Sequence, residues 1–177
     1  DWWESIQSNL ATVLASDGSF FVNIKPHAED GERSLYVFDL VLSMRRRWGW
    51  CFIDEFCWRR NGMPGSWSNR FKNGFEPIYQ FARAVNIKFV PSNVADKHAS
   101  GIDKTRESKN TGTYYNKGFT WDSALPSKHL DISENVGVVN HPAAFPIRLP
   151  TFFIGAFSDA GDIWYEPFLG SGTTLIA

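Results

Sequence analysis

The last fourteen residues, Trp164 to Ala177, read WYEPFLGSGTTLIA, and this stretch decides how the rest of the chain is read. It begins as a short apolar strand, passes through Gly170-Ser171-Gly172, and enters a helix at Thr173. Glycines let a backbone approach a ligand closely, and the free N–H groups at a helix start favour negative charge. A Walker loop would need a Lys before the threonine, and none lies near Thr173. A nicotinamide-binding turn would need a third glycine where Leu175 stands. A bare G-x-G is in most proteins only a turn, so the flanks must carry the argument.

Working outward, the chain alternates helical and strand patterns. In DWWESIQSNLATVLASDG, Trp2, Ile6, Leu10 and Leu14 recur four apart, with Trp3 and Val13 beside them. That spacing predicts a helix, capped by Asp1 with Glu4 three residues on, and stopped at Asp17-Gly18. SFFVNIK (19–25) follows as a strand, then the loop PHAEDGER. A second helix is expected from Ser34 to Arg47, burying Leu35, Phe38, Val41 and Leu42 and ending on three arginines that suit the helix dipole. WGWCFIDEFCWRR and FEPIYQFARA read as strands. Leu149, Phe152, Phe153 and Phe157 suit a short amphipathic helix with Pro150 near its start, and DIWYEPF (162–168) reads as a strand. This alternation indicates an α/β layered fold.

Composition narrows the classes. The 177 residues suit one domain with a sizeable core, at 43% hydrophobic and 21% charged residues. The formal net charge of −1 gives no global basic field, so any nucleic-acid surface must be local. Cys51 and Cys57 match no zinc spacing, no metal site is expected, and both read as buried free thiols. No signal peptide or membrane-spanning run is evident, and the expected location is the cytoplasm. Residues 95–121 are polar and almost free of aliphatic side chains, which predicts an extended or mobile segment.

The flanks then supply the resemblance. EPFLGSGTT (166–174) resembles the D-P-F-x-G-S-G-T-T motif of S-adenosylmethionine-dependent DNA methyltransferases that act on exocyclic amines. Upstream, NHPAAFPIRLP (140–150) is similar to the H-P-x-x-F-P segment that precedes this motif in the permuted, β-type members. VLASDGSFFVNIK and CWRRNGMPGSWSNRFKNGFEPIYQF also resemble that family, in its order. The resemblance covers the chain apart from the polar stretch, and Glu166 stands where the family usually has Asp.

This likeness implies an incomplete Rossmann-like methyltransferase sandwich with a mostly parallel sheet. It divides the chain into a catalytic-domain portion (1–85), a target-recognition insertion (86–140) and a cofactor-binding portion (141–177). The cofactor implied is S-adenosyl-L-methionine. It would be held by Glu166, Phe168, Gly170, Gly172 and Thr173, with His141, Pro142 and Phe145 as a wall and Asn23 at a strand end facing cofactor or target base. An Asn at a strand end is as often a turn former. Double-stranded DNA is the implied partner, with Arg59, Arg60, Arg70 and Lys72 as candidate contacts among Trp58 and Trp67. A restriction endonuclease is a further partner compatible with such enzymes. For each single arginine, a solvated loop is the plainer reading.

The family's catalytic tetrapeptide contains Pro-Pro, and no Pro-Pro occurs here, so no catalytic residue is assigned. The expectation is a central fragment of a methyltransferase for adenine N6 or cytosine N4, whose β-strand after Asp17 lacks the neighbour it has in the family. The alternative is a non-catalytic nucleic-acid-binding remnant or subunit of the same fold.

Overall fold

The computed structural model describes residues 2–60, 68–95, 126–132 and 145–177. The expected N-cap Asp1, the polar segment 96–121, Trp67, His141 and Pro142 lie outside the described residues. The helix α1 spans Trp2–Val13 and leads to strand β1, Ser19–Asn23. A small hairpin, β2 (Ala28–Glu29) and β3 (Glu32–Arg33), precedes helix α2, Tyr36–Arg46. Strand β4 (Cys51–Arg59) and strand β5 (Phe75–Ala82) form the centre, and β6 is His129–Leu130. Helix α3 runs Arg148–Phe157, and a single turn, α4, spans Thr173–Ile176.

The main sheet has the order β1-β5-β4-β6. β5 is antiparallel to both β1 and β4, and β4 is parallel to β6. Thus β1, β4 and β6 point the same way, as a mostly parallel sheet requires, whereas most pairings are antiparallel. The reason is position: the one reversed strand lies between two of the others and owns two interfaces.

Period-two alternation distributes the strands' side chains between two cores. Val22, Tyr79 and Phe81 pack with Leu10 of α1, Val37 and Met44 of α2, and Trp50. Ile78, Phe56 and Trp58 pack on the other side with Leu149 and Phe153 of α3. Helices therefore cover both faces, the layered arrangement expected from sequence. A bulge between Phe52 and Asp54 re-registers β4 against β5.

Proline is rare in an inner strand because it removes a ladder donor. Pro77 of β5 is opposite Cys57 of β4, whose N–H points away to Lys128 O at 2.9 Å. The missing proline N–H therefore faces the β1 side, where the β1 ladder has already ended at Asn23↔Ile78.

Three expectations change. Leu35, Phe38 and Leu42 are exposed, and α2 instead buries Val37 and Met44, with Leu40 and Val41 packed beside them. Both sets satisfy helical spacing, so periodicity alone did not choose between two apolar stripes. Cys51 and Cys57 are free but only half-buried; burial first, then Glu55, pushes the Cys57 thiol up. DIWYEPF is not a strand: residues 162–166 form no ladder and no other regular element, and Ile163 is 94% exposed. A strand needs a neighbour for its backbone groups. Among the described strands, β1 pairs with β5 on one side and with none on the other.

The unpaired segment is held by charge and by one ring. Lys88 Nζ lies 2.6 Å from Asp162 Oδ2 and 3.2 Å from Asp159 Oδ2, while the Lys88 N–H donates to Asp17 O at 2.8 Å. Trp164 stacks on Phe21 of β1, with centroids 6.2 Å apart. The chain is thus tied near the start of β1 at Asp162 and touches its middle at Trp164.

The Asp159 N–H and then the Lys88 ammonium hold the Asp162 carboxyl below its usual range. A depressed carboxylate contributes stability above its unfolded pKa, about 3.9, that is lost as pH falls through the lower folded value. Thermal melts from pH 7 to pH 2 should therefore show the native protein more stable than Asp162→Asn at neutral pH. That advantage should fade only below about pH 4.

Candidate cofactor and nucleic-acid site

Because β1 and β4 run the same way and β5 is reversed, one end of the sheet gathers Asn23, Arg59 and the start of β5 at Phe75. Ligands of open α/β sheets bind outside the carboxyl ends of the strands. Asn23 continues the ladder and is not a turn residue; its Nδ2 donates to Pro77 O at 3.0 Å. Two residues on, Lys25 Nζ lies 2.9 Å from Glu76 Oε1, and Arg60 NH1 is 3.8 Å from the same oxygen. The Arg60 guanidinium also sits over the Trp58 ring, 4.4 Å from its centroid.

The four cations proposed for DNA contact share this end but not one environment. Arg59 pairs with Asp131 at 2.9 Å, and Arg60 is taken up by Glu76 and Trp58. Arg70 NH1 reaches Gly31 O at 3.5 Å, next to Asn69 Nδ2, which donates to the same carbonyl at 2.8 Å. Lys72 is exposed and has no acidic partner among the described residues. The loop 69–74 is braced on the β2–β3 turn, where Asp30 and Gly31 both adopt positive φ, 49° and 83°. The Asp-Gly pair is the sequence signal for such a turn, and PHAEDGER carries it within what reads otherwise as a loop. Lys25 went unrecognised because nothing in sequence joins positions 25, 60 and 76.

At the chain's glycine turn, Gly170 and Gly172 have φ of 55° and 83°. A Cβ on Gly172 would meet no atom within 4 Å, so that side of the turn is open, though a side chain there would be strained. Gly172 N–H donates to Leu169 O at 2.9 Å, closing the turn. Ser171 Oγ and Thr173 Oγ1 are 3.3 Å apart, and Phe168 is exposed. Glu166 Oε1 accepts from Phe168 N–H at 2.9 Å and Oε2 from the Thr174 hydroxyl at 3.4 Å. A carboxylate has about four lone-pair sites. Both oxygens are therefore used within the turn, and capacity for a further donor remains. Phe145 packs against the second core cluster.

A layered sheet with one inserted reversed strand, helices on both faces and a glycine turn after the last helical layer define an α/β protein. The chain belongs to the DNA methylase family of N6/N4 type, whose pattern it matches over residues 1–177. It is 26% identical over 206 aligned residues to Type II methyltransferase M.PvuII of Proteus hauseri, covering 98% of this chain and 61% of that one. A shorter stretch of 50 residues is 40% identical to orphan methyltransferase M.BamHII of Bacillus amyloliquefaciens. Among solved structures, the PvuII DNA methyltransferase, described as cytosine-N4-specific, superposes with a TM-score of 0.76 at 24% identity, covering 99% of this chain and 60% of that one. M1.HpyAVI, solved as a complex with SAM, gives a TM-score of 0.57 at 18% identity over 96% of this chain and 66% of that one. At these identities the structural likeness is one of fold. The chain spans about three fifths of the length of the PvuII enzyme.

Glu76 should be the structural keystone of this end. Its side chain is only 13% exposed between Lys25 and Arg60. Glu76→Ala should lower stability by about 1–3 kcal/mol in urea titration, since it leaves two cations without their acid. Asp131→Ala, which frees only the exposed Arg59, should cost less than about 1 kcal/mol.

Proposed function

We propose that this chain is part of an enzyme that transfers a methyl group from S-adenosyl-L-methionine to an exocyclic amine of a DNA base, adenine N6 or cytosine N4. The observation that carries the reading is the glycine turn itself, with positive φ at Gly170 and Gly172 and open space beside Gly172, in a chain of the N6/N4 DNA methylase family. Bound there, the cofactor supplies an electrophilic methyl group on a sulfonium. Phe168 offers an exposed ring, Gly170 and Gly172 let the backbone approach, and Thr173 supplies a hydroxyl. Glu166 belongs to the same pocket, and His141, Pro142 and Phe145 are assigned to its wall. Asn23 has its amide nitrogen committed to Pro77, which leaves its oxygen toward cofactor or base.

Duplex DNA is the substrate. A target amine in a stacked pair is out of reach of the sulfonium, so the base must leave the duplex. Lys72 and Arg70, carried on the braced loop, serve the phosphates, while Arg59 and Arg60 act on DNA only through the surface they build with Asp131 and Glu76. The family's Pro-Pro tetrapeptide, which holds the target amine, is not among these 177 residues. A restriction endonuclease is a partner compatible with such an enzyme, and the cytoplasm its place of action. None of the described helices is long and apolar enough to cross a membrane.

The test is tritium transfer from labelled S-adenosylmethionine to mixed-sequence duplex DNA, with the complete protein and with the 177 residues alone. The complete protein should methylate and the 177 residues alone should not. Gly172→Leu should abolish transfer and cofactor binding in the complete protein, by straining the turn and filling its open side. Cofactor and DNA binding absent from the complete protein would overturn the reading; DNA binding without transfer would favour a non-catalytic subunit of the same fold.

A further inference from the structure

The acid at position 166 invites a direct role, an ion pair with the ammonium group of the cofactor's methionine portion. Its surroundings indicate a different one. The Phe168 N–H lies at the entry of the turn and donates to one carboxylate oxygen at 2.9 Å. The Thr174 hydroxyl lies in the first turn of α4 and donates to the other at 3.4 Å. One side chain therefore joins the two ends of the loop that contains both positive-φ glycines.

The loop needs such a link. Its helix begins at Gly172, which has no side chain and so provides no cap hydrogen bond. An uncapped helix start leaves N–H groups without partners and the turn free to fray. A carboxylate near the first turn also interacts favourably with the helix dipole. Glutamate has one methylene more than aspartate, so at position 166 it reaches farther toward Thr174 than an aspartate would.

We propose that Glu166 is a positioning residue: it clamps Phe168 to Thr174 and so fixes the glycine turn, and it contributes to cofactor binding through that turn and not through the cofactor's ammonium. This rests on the turn being the cofactor site.

The experiment uses the complete protein and two probes, S-adenosylhomocysteine, which carries the amino group, and 5′-methylthioadenosine, which lacks it. Calorimetric affinities are measured for the native protein, Glu166→Ala, Glu166→Asp, Thr174→Val and the Glu166→Ala/Thr174→Val double variant. A clamp predicts that Glu166→Ala weakens both probes by the same factor, roughly 10-fold. Thr174→Val and Glu166→Asp should each weaken both by a smaller common factor. The double variant should be no weaker than Glu166→Ala alone, because the pair acts as one unit. A loss confined to S-adenosylhomocysteine overturns the proposal, as does strict additivity of the two sites.

Amide hydrogen exchange at Phe168 gives a readout independent of any ligand. It should quicken in Glu166→Ala and stay native in Thr174→Val. Unchanged exchange in Glu166→Ala overturns the clamp even if both probes bind. If the native protein binds neither probe, the cofactor assignment fails, while the exchange measurement still decides whether Glu166 holds the turn.

Discussion

The structure depends on one strand running backwards. β5 lies between β1 and β4, antiparallel to both, and its inner residues Ile78 to Ala82 are all buried. Because it is reversed, its start adjoins the ends of the strands on either side. That geometry places Asn23, Arg59 and Phe75 at one end of the sheet although they are far apart in sequence. The same strand donates Tyr79 and Phe81 to one core and Ile78 to the other, so both helical layers are fastened to it. A substitution that disrupted β5 would loosen the site and both cores together. Even its proline fits this arrangement, since Pro77 lacks its N–H on the side where no β1 residue requires it.

Short apolar and aromatic runs between turn residues made β1, β4 and β5 legible, and spacing in the helical segments located α1, α2 and α3 within a few residues. What remained hidden depends on contacts across the chain. α2 is apolar on two stripes, and only the packing of Val37 and Met44 beneath Trp50 and Phe81 shows which one is core. Residues 162–166 have the composition of a strand, but a ladder needs a neighbour, and the segment rests on β1 through a ring stack. The glycine turn was legible because positive φ constrains residue type directly. The ion cluster at Lys25, Arg60 and Glu76 was not, because charge pairs over such separations leave no periodic trace.

The electrostatics of the site end are more economical than a count of cations suggests. Arg59 and Arg60 are consecutive, yet they turn to different acids, Asp131 and Glu76, and the second is also stacked on Trp58. They shape the surface and spend little charge on solvent. Lys72 stands on a loop fixed by Asn69 and Arg70 to the Gly31 carbonyl, so that the least committed cation is presented by one of the better braced segments. Such a division suits the proposed role of this surface in meeting a phosphate backbone without a strong net charge. With the formal charge of the whole chain at −1, the attraction has to be local.

The central claim is that the cofactor lies at the carboxyl end of this sheet, between the glycine turn and β1. Photo-crosslinking the complete protein with radiolabelled S-adenosylmethionine under ultraviolet light, followed by peptide mapping, tests it most directly. Label should appear in the peptides spanning residues 164–174 and 20–25, and excess unlabelled S-adenosylhomocysteine should suppress it. Label confined to the opposite end of the sheet, around Cys51 and Ala82, or label that S-adenosylhomocysteine does not displace, would contradict the account.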